Sequence, residues 1–163
     1  MRIGVVWYSR TGATARAARE AAALLEDLGH QAAELPIRPR VELPYPLWLV
    51  LSFVPGSRFP LREPPPPLES FDGCLLALPK WTFSCPPVNS VLARCRKLPP
   101  TALLVTCGGW DQERYLAALE RRLARRGATV LGGIAIKRRR VEAGETPAVL
   151  RELLAAWFPP DAA

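Results

Sequence analysis

At 163 residues, 49% hydrophobic and 23% charged, the chain suits one domain, residues 1–163, with its own core, and the composition excludes a disordered tail. Purely apolar runs such as Leu47 to Leu51 fall far short of the roughly 20 residues that cross a bilayer, which excludes a transmembrane helix. The formal net charge is +7 and unevenly placed: Arg94 to Arg140 hold 12 Lys/Arg against 3 Asp/Glu, a local +9.

Residues 2–8, Arg-Ile-Gly-Val-Val-Trp-Tyr, read as a buried strand. They lack the apolar stretch and cleavage site of a secretory signal, which implies a cytoplasmic protein. Ala13 to Leu28 place Ala17, Ala21, Leu24, Leu25 and Leu28 at helical spacing, and Gly29 is placed to end that helix. Gln31 to Leu35 suit a second strand. A proline-rich insert, about 36–70, follows: 10 of the 18 prolines lie between Pro36 and Pro67, which forbids a regular strand or a long helix. Inside it, Tyr45 to Val54 are apolar on all sides, and Pro64 to Pro67 suit a polyproline II spacer.

Gly73 to Leu78 form a short apolar run suited to a strand covered on both faces. Ser84 then stands as a cap and Pro86 or Pro87 as first-turn residue of a helix whose apolar face is Val88, Val91, Leu92 and Cys95. Thr101 to Thr106 read as another strand. Asp111 caps the next helix, with Leu116, Leu119 and Leu123 inward, Arg121, Arg122, Arg125 and Arg126 outward, and Gly127 at its end. Thr129 to Ile136 are the last strand, weakened by Gly132 and Gly133, and Thr146-Pro147 open a helix with Leu150, Leu153, Leu154 and Trp157 inside. This alternation implies a three-layer, doubly wound α/β fold whose ligand sits beyond the carboxyl ends of parallel strands.

Three turns at that edge carry the chemistry. Ser9-Arg10-Thr11-Gly12-Ala13-Thr14 lead from strand to helix, and hydroxyls with a glycine at a helix N-terminus make a phosphate cradle, although the same composition also serves as a plain cap. Neither a P-loop nor a Gly-x-Gly-x-x-Gly turn is present. Pro79-Lys80-Trp81-Thr82 and Cys107-Gly108-Gly109-Trp110 open on the same edge. Each offers a Trp to stack on a planar ring or to plug a helix end, and the glycine pair admits close approach of a ligand.

The four cysteines, Cys74, Cys85, Cys95 and Cys107, are spaced 11, 10 and 12 apart with one histidine in the chain, His30. That spacing argues against a metal site. Cys85 and Cys107 fall in the site loops, as redox-active thiols or small packing residues. Cys74 and Cys95 read as core, His30 as an exposed turn residue, and no catalytic acid or base stands out.

The Ser9–Thr14 loop, the strand end Leu76-Ala77-Leu78-Pro79 with Trp81, the helix start Pro86-Pro87-Val88 and the turn Thr106-Cys107-Gly108-Gly109 resemble the flavodoxin family over residues 1–35 and 71–157. The resemblance implies a five-stranded sheet, order 2-1-3-4-5, binding FMN without a covalent bond. Ser9, Arg10, Thr11, Gly12, Ala13 and Thr14 would hold the phosphate. Trp81 and Trp110 would flank the isoalloxazine, with Pro79, Lys80 and Thr82 beside it and backbone groups of Cys107, Gly108 and Gly109 at its pyrimidine edge. The implied role is electron transfer, as a carrier or a small FMN-dependent oxidoreductase of NAD(P)H or quinone type. Its partner would be a redox protein or a small-molecule acceptor.

Three features depart from the family pattern: Leu78 stands where the family commonly has Ser or Thr beside the phosphate, the charge is basic, and the insert is added. Basic surroundings favour anionic reduced flavin, so a less negative potential than that of an acidic flavodoxin is expected. The alternative is a flavodoxin-fold binding module without cofactor, using its basic face or insert for protein or membrane-surface contact. Residues 45–54 suit a cover over the flavin edge, a homodimer interface, or a peripheral membrane contact anchored by Trp48 and Phe53. A nucleic-acid role is disfavoured, because the basic residues lack interleaved aromatics.

Overall fold

In a computed structural model the alternating runs assemble into a five-stranded, all-parallel sheet of order β2-β1-β3-β4-β5. The structure describes residues 1–64 and 67–160, so Pro65 and Pro66 of the expected polyproline II spacer lie outside the described residues. The strands are β1 (Arg2–Trp7), β2 (Gln31–Pro36), β3 (Gly73–Pro79), β4 (Thr101–Cys107) and β5 (Val130–Lys137). The helices are α1 (Ala13–Asp27), α2 (Tyr45–Ser52), α3 (Pro86–Arg94), α4 (Gln112–Arg125), α5 (Arg138–Glu142) and α6 (Thr146–Trp157).

β3 and β4 are buried along nearly their whole length because helices cover both faces, whereas of the edge strands β5 is mostly half-buried and β2 has exposed Gln31, Glu34 and Pro36. On one face α1, α5 and α6 cover Ile3, Val5, Leu75, Ala77, Ala102 and Leu104; Ala17, Ala18 and Ala21 of α1 are small enough for close approach. On the other, α2, α3 and α4 cover Val6, Leu76, Leu78, Leu103 and Val105. Alternation along each strand thus sends successive side chains to separate cores.

Strand pairing continues one residue past the apolar runs, through Pro79 opposite Thr106 and Cys107 opposite Lys137. Gly132 and Gly133 serve the packing of β5. A Cβ on Gly132 would lie 2.5 Å from the Trp157 indole nitrogen, and one on Gly133 would lie 2.8 Å from a Leu116 methyl. Bare glycines let α6 and α4 close on opposite faces of this edge strand.

Several local expectations are corrected. His30 is buried, not an exposed turn residue: its Nε2 lies 2.9 Å from the Phe158 carbonyl, which ties the turn after α1 to the end of α6. Ser84 does not cap α3; Cys85 holds that position, and the Ser84 hydroxyl donates to the Val54 carbonyl instead. Asp111 precedes α4 with φ +49°, but its side chain makes no capping bond. Cys95 is half-buried at the end of α3, not fully inside.

The insert is ordered through much of its length. Pro39 and Leu61 form an antiparallel bridge, closed by Arg40 N–H to the Pro60 carbonyl at 2.8 Å and Arg62 N–H to the Arg38 carbonyl at 2.9 Å. Between them α2 drives Trp48 wholly into the core. Glu42 fixes this docking by accepting from Tyr8 Oη at 2.8 Å and Trp48 Nε1 at 2.7 Å. From α3, Ser90 Oγ accepts the Phe59 N–H at 2.8 Å and donates to the Phe59 carbonyl at 2.7 Å.

Candidate functional site

The carboxyl ends of β1, β3, β4 and β5 face one edge of the sheet, where open α/β folds place their ligands. A pocket of about 360 Å³ lies there, lined by Arg10, Thr11, Ala13, Thr14, Tyr45, Pro79, Lys80, Trp81, Thr106, Cys107, Gly108 and Arg138. Its volume falls in the roughly 300–1,000 Å³ range of small-molecule sites.

The loop after β1 is set by its own chemistry. Ser9 Oγ accepts the Gly12 N–H at 3.0 Å, and Gly12 takes φ +95°, a left-handed turn that glycine adopts without strain. The chain then enters α1 at Ala13. First-turn N–H groups have no partner inside a helix, so those of Ala13 and Thr14 are donors at the pocket wall. The Thr14 and Thr106 hydroxyls meet at 2.6 Å, which bridges the start of α1 to the end of β4.

Three cations line the pocket, Arg10, Lys80 and Arg138, and no carboxylate does among the described residues. Arg10 stands over the Tyr45 ring at 5.4 Å, and the Lys80 ammonium over the Trp110 ring at 4.9 Å. Lys80 is further fixed by its N–H to the Thr106 carbonyl at 2.7 Å. Arg138 pairs with Glu142 at 3.2 Å on an exposed face.

The remaining expected residues stand apart from the pocket wall. Ser9 is turned toward a neighbouring groove with Trp7 and Tyr8. Thr82 is held by Ser52 of the insert, whose hydroxyl donates to it at 3.0 Å. Gly109, at φ +106°, packs under the Lys137 side chain, and Trp110 is 78% exposed. Trp81 reaches the wall but is 7% exposed. Its ring stacks on Trp48 at 5.5 Å and 23°, with Tyr8 edge-on at 5.5 Å. The insert has therefore taken a face that the family resemblance assigns to a ring ligand.

Leu78 lies in the α2/α3/α4 core and is not among the residues that line the pocket. From one strand over, the Thr106 hydroxyl reaches the first turn of α1 by its contact with Thr14. Tyr45 and Arg138 were not anticipated. Arg138 had a signal in its place directly after the last strand, and Tyr45 opens the 45–54 segment that was expected to cover the flavin edge.

Burial pushes the Tyr8 hydroxyl far above its usual range, and the bond to Glu42 adds to the effect. Burial also raises the Cys85 thiol, which sits at 2% exposure among packing residues. Cys107 lines the pocket with its thiol 3.7 Å from the Ile136 carbonyl.

No family model matches the chain. A curated relative, an uncharacterized protein of Archaeoglobus fulgidus, is 33% identical over 118 residues, 72% of this chain and 76% of the relative. Among solved structures, a flavodoxin variant from Pseudomonas aeruginosa is 16% identical with a TM-score of 0.62, covering 96% of this chain and 99% of its own. A flavoprotein from Lactobacillus acidophilus, in complex with FMN, is 13% identical with a TM-score of 0.61, covering 88% of this chain and 96% of its own. With five parallel strands in the order 2-1-3-4-5 the chain has the flavodoxin-like fold, and by sequence it belongs to one family with the uncharacterized Archaeoglobus protein.

Proposed function

We propose that the chain binds FMN in the pocket at the carboxyl edge of its sheet and serves in electron transfer, as a carrier or a small oxidoreductase. The observation that carries this reading is the donor set: first-turn N–H groups of α1 and three cations line one pocket that holds no carboxylate among the described residues. That set fits a phosphate-bearing, anionic ligand. The FMN held by the Lactobacillus flavoprotein of the same fold adds support.

In this reading Arg10, Thr11 and the N–H groups of Ala13 and Thr14 hold the phosphate. The Thr14–Thr106 contact fixes the helix start against β4. The backbone of Cys107 and Gly108 borders the ring, with Tyr45 of the insert closing the opposite side. Lys80 and Arg138 place positive charge around the site. A bound flavin supplies the electron chemistry, while the protein supplies position and electrostatics. Electrons would pass to a redox partner protein or a small acceptor.

The test is an FMN titration followed by visible absorbance and flavin fluorescence, with desalting. Retained flavin bands are expected. Arg10→Ala should weaken binding about tenfold by removing a charge-assisted contact, with unchanged circular dichroism. A colourless protein that loses added FMN would overturn the reading. A cofactor-free binding module would then lead, favoured by the stacking of Trp81 on Trp48.

A further inference from the structure

The insert presents an apolar ridge that the flavin reading does not use. In α2, Trp48 and Ser52 are the buried side chains. Leu47, Val50, Phe53 and Val54 face outward, with Val50 at 64% exposure, and Phe83 joins them 5.9 Å from the Phe53 ring. The cause is visible in the sequence: Tyr45 to Val54 are apolar on every side, while one stripe of a helix suffices to dock it. A contiguous exposed apolar patch is the mark of an interaction surface.

Its surroundings are positive. No Asp or Glu occurs between Glu42 and Glu63, whereas Arg58 does; Arg62 lines a separate groove with Glu34 and Glu42. At one end of the ridge Arg10 lies over Tyr45. At the other, Arg122 and Arg125 of α4 share a cavity with Pro55, Gly56 and Phe83. Exposed Arg121 extends this cationic face along α4.

We propose that this face docks on an anionic membrane surface, with Val50, Phe53 and Val54 entering the headgroup boundary and the flanking arginines meeting lipid phosphates and carboxylates. No helix among the described residues is long and apolar enough to cross a membrane, so an eight-residue α2 lies in the surface and does not traverse it. Charge decides between occupants. A second copy meeting this face would set like arginine clusters together, with no carboxylate in residues 43–62 to pair them. An anionic bilayer offers the complementary sign.

Flotation of the full chain with vesicles tests this, using phosphatidylcholine alone and with about 30% phosphatidylserine. Binding is expected to the second kind and should weaken at least roughly tenfold in about 0.5 M salt. The double variant F53S/V54S alters exposed side chains, so it should keep its circular dichroism and monomeric state while losing binding about tenfold. R121S/R125S should weaken binding similarly and flatten the salt dependence. Three results would overturn the proposal. They are no flotation with anionic vesicles, undiminished binding by F53S/V54S, and a dimer in sedimentation equilibrium that F53S/V54S dissociates. FMN retention is read separately, since none of these four residues lines the pocket.

Discussion

Glu42 holds the insert in place with two hydrogen bonds, from Tyr8 Oη and Trp48 Nε1. Glu42→Ala leaves both donors without their acceptor and should cost about 2 kcal/mol. Glu42→Gln keeps an acceptor oxygen and should recover part of that loss; equal urea midpoints for both variants and the native chain would contradict the assignment. Gly12 acts through its backbone. Its φ of +95° strains any L-residue although no atom crowds a Cβ there. Gly12→Ala should therefore cost about 1–2 kcal/mol in thermal unfolding and weaken FMN binding by shifting the first-turn N–H groups.

At the scale of elements, α2 behaves as part of the core and not as an appended loop. Trp48 is fully buried between Phe59, Tyr8 and Trp81. Trp48→Ala should cost roughly 3–5 kcal/mol, measured by urea denaturation; a loss below about 1 kcal/mol would mark the insert as a separate appendage. The β5–α6 contact makes a second element-level prediction. Gly132 takes φ +149° and faces the Trp157 indole, so Gly132→Ala combines backbone strain with overpacking. A cost of about 2 kcal/mol is expected, with the sheet order retained.

Across the whole molecule, buried weak acids tie stability to pH. Burial pushes the Cys74 thiol up to about 12 and Cys95 to about 11, and raises Cys85 and Tyr115 as well. In the unfolded chain these thiols ionise from their ordinary value of 9.0, while the folded chain keeps them protonated. Their contribution is whole below pH 9 and is lost as pH rises through the folded values. The slope approaches about 1.4 kcal/mol per pH unit for each fully buried thiol. Urea midpoints should fall between pH 8.5 and about 10.5, and a flat profile would contradict this. The +7 charge makes a further prediction for the flavin-loaded protein. Cations around the pocket favour the anionic reduced form, so the potential should be less negative than in an acidic flavodoxin and should drop as salt screens them. A strongly low potential at low salt would contradict that expectation.

The covered parallel sheet was legible because β3 and β4 are near-continuous apolar runs that alternate with one-sided helices, whereas the order 2-1-3-4-5 was implied by the flavodoxin resemblance and not by the pattern. The three site loops were legible for the same reason: strand-to-helix turns of a parallel sheet all open on one edge. Other features depended on partners distant in the chain. His30 looked like a turn residue until Phe158 closed over it, and the Thr14–Thr106 contact joins residues 92 apart in the chain. The insert shows the limit most clearly. Its prolines announced irregular chain, but the stacking of Trp48 on Trp81 and the arrival of Tyr45 at the pocket required Glu42, Ser52, Ser90 and the sheet to be in place. Local periodicity sets which elements form and which face each buries. Which aromatic ring meets which, and which side chains reach the pocket, are decided by long-range packing that no local pattern encodes.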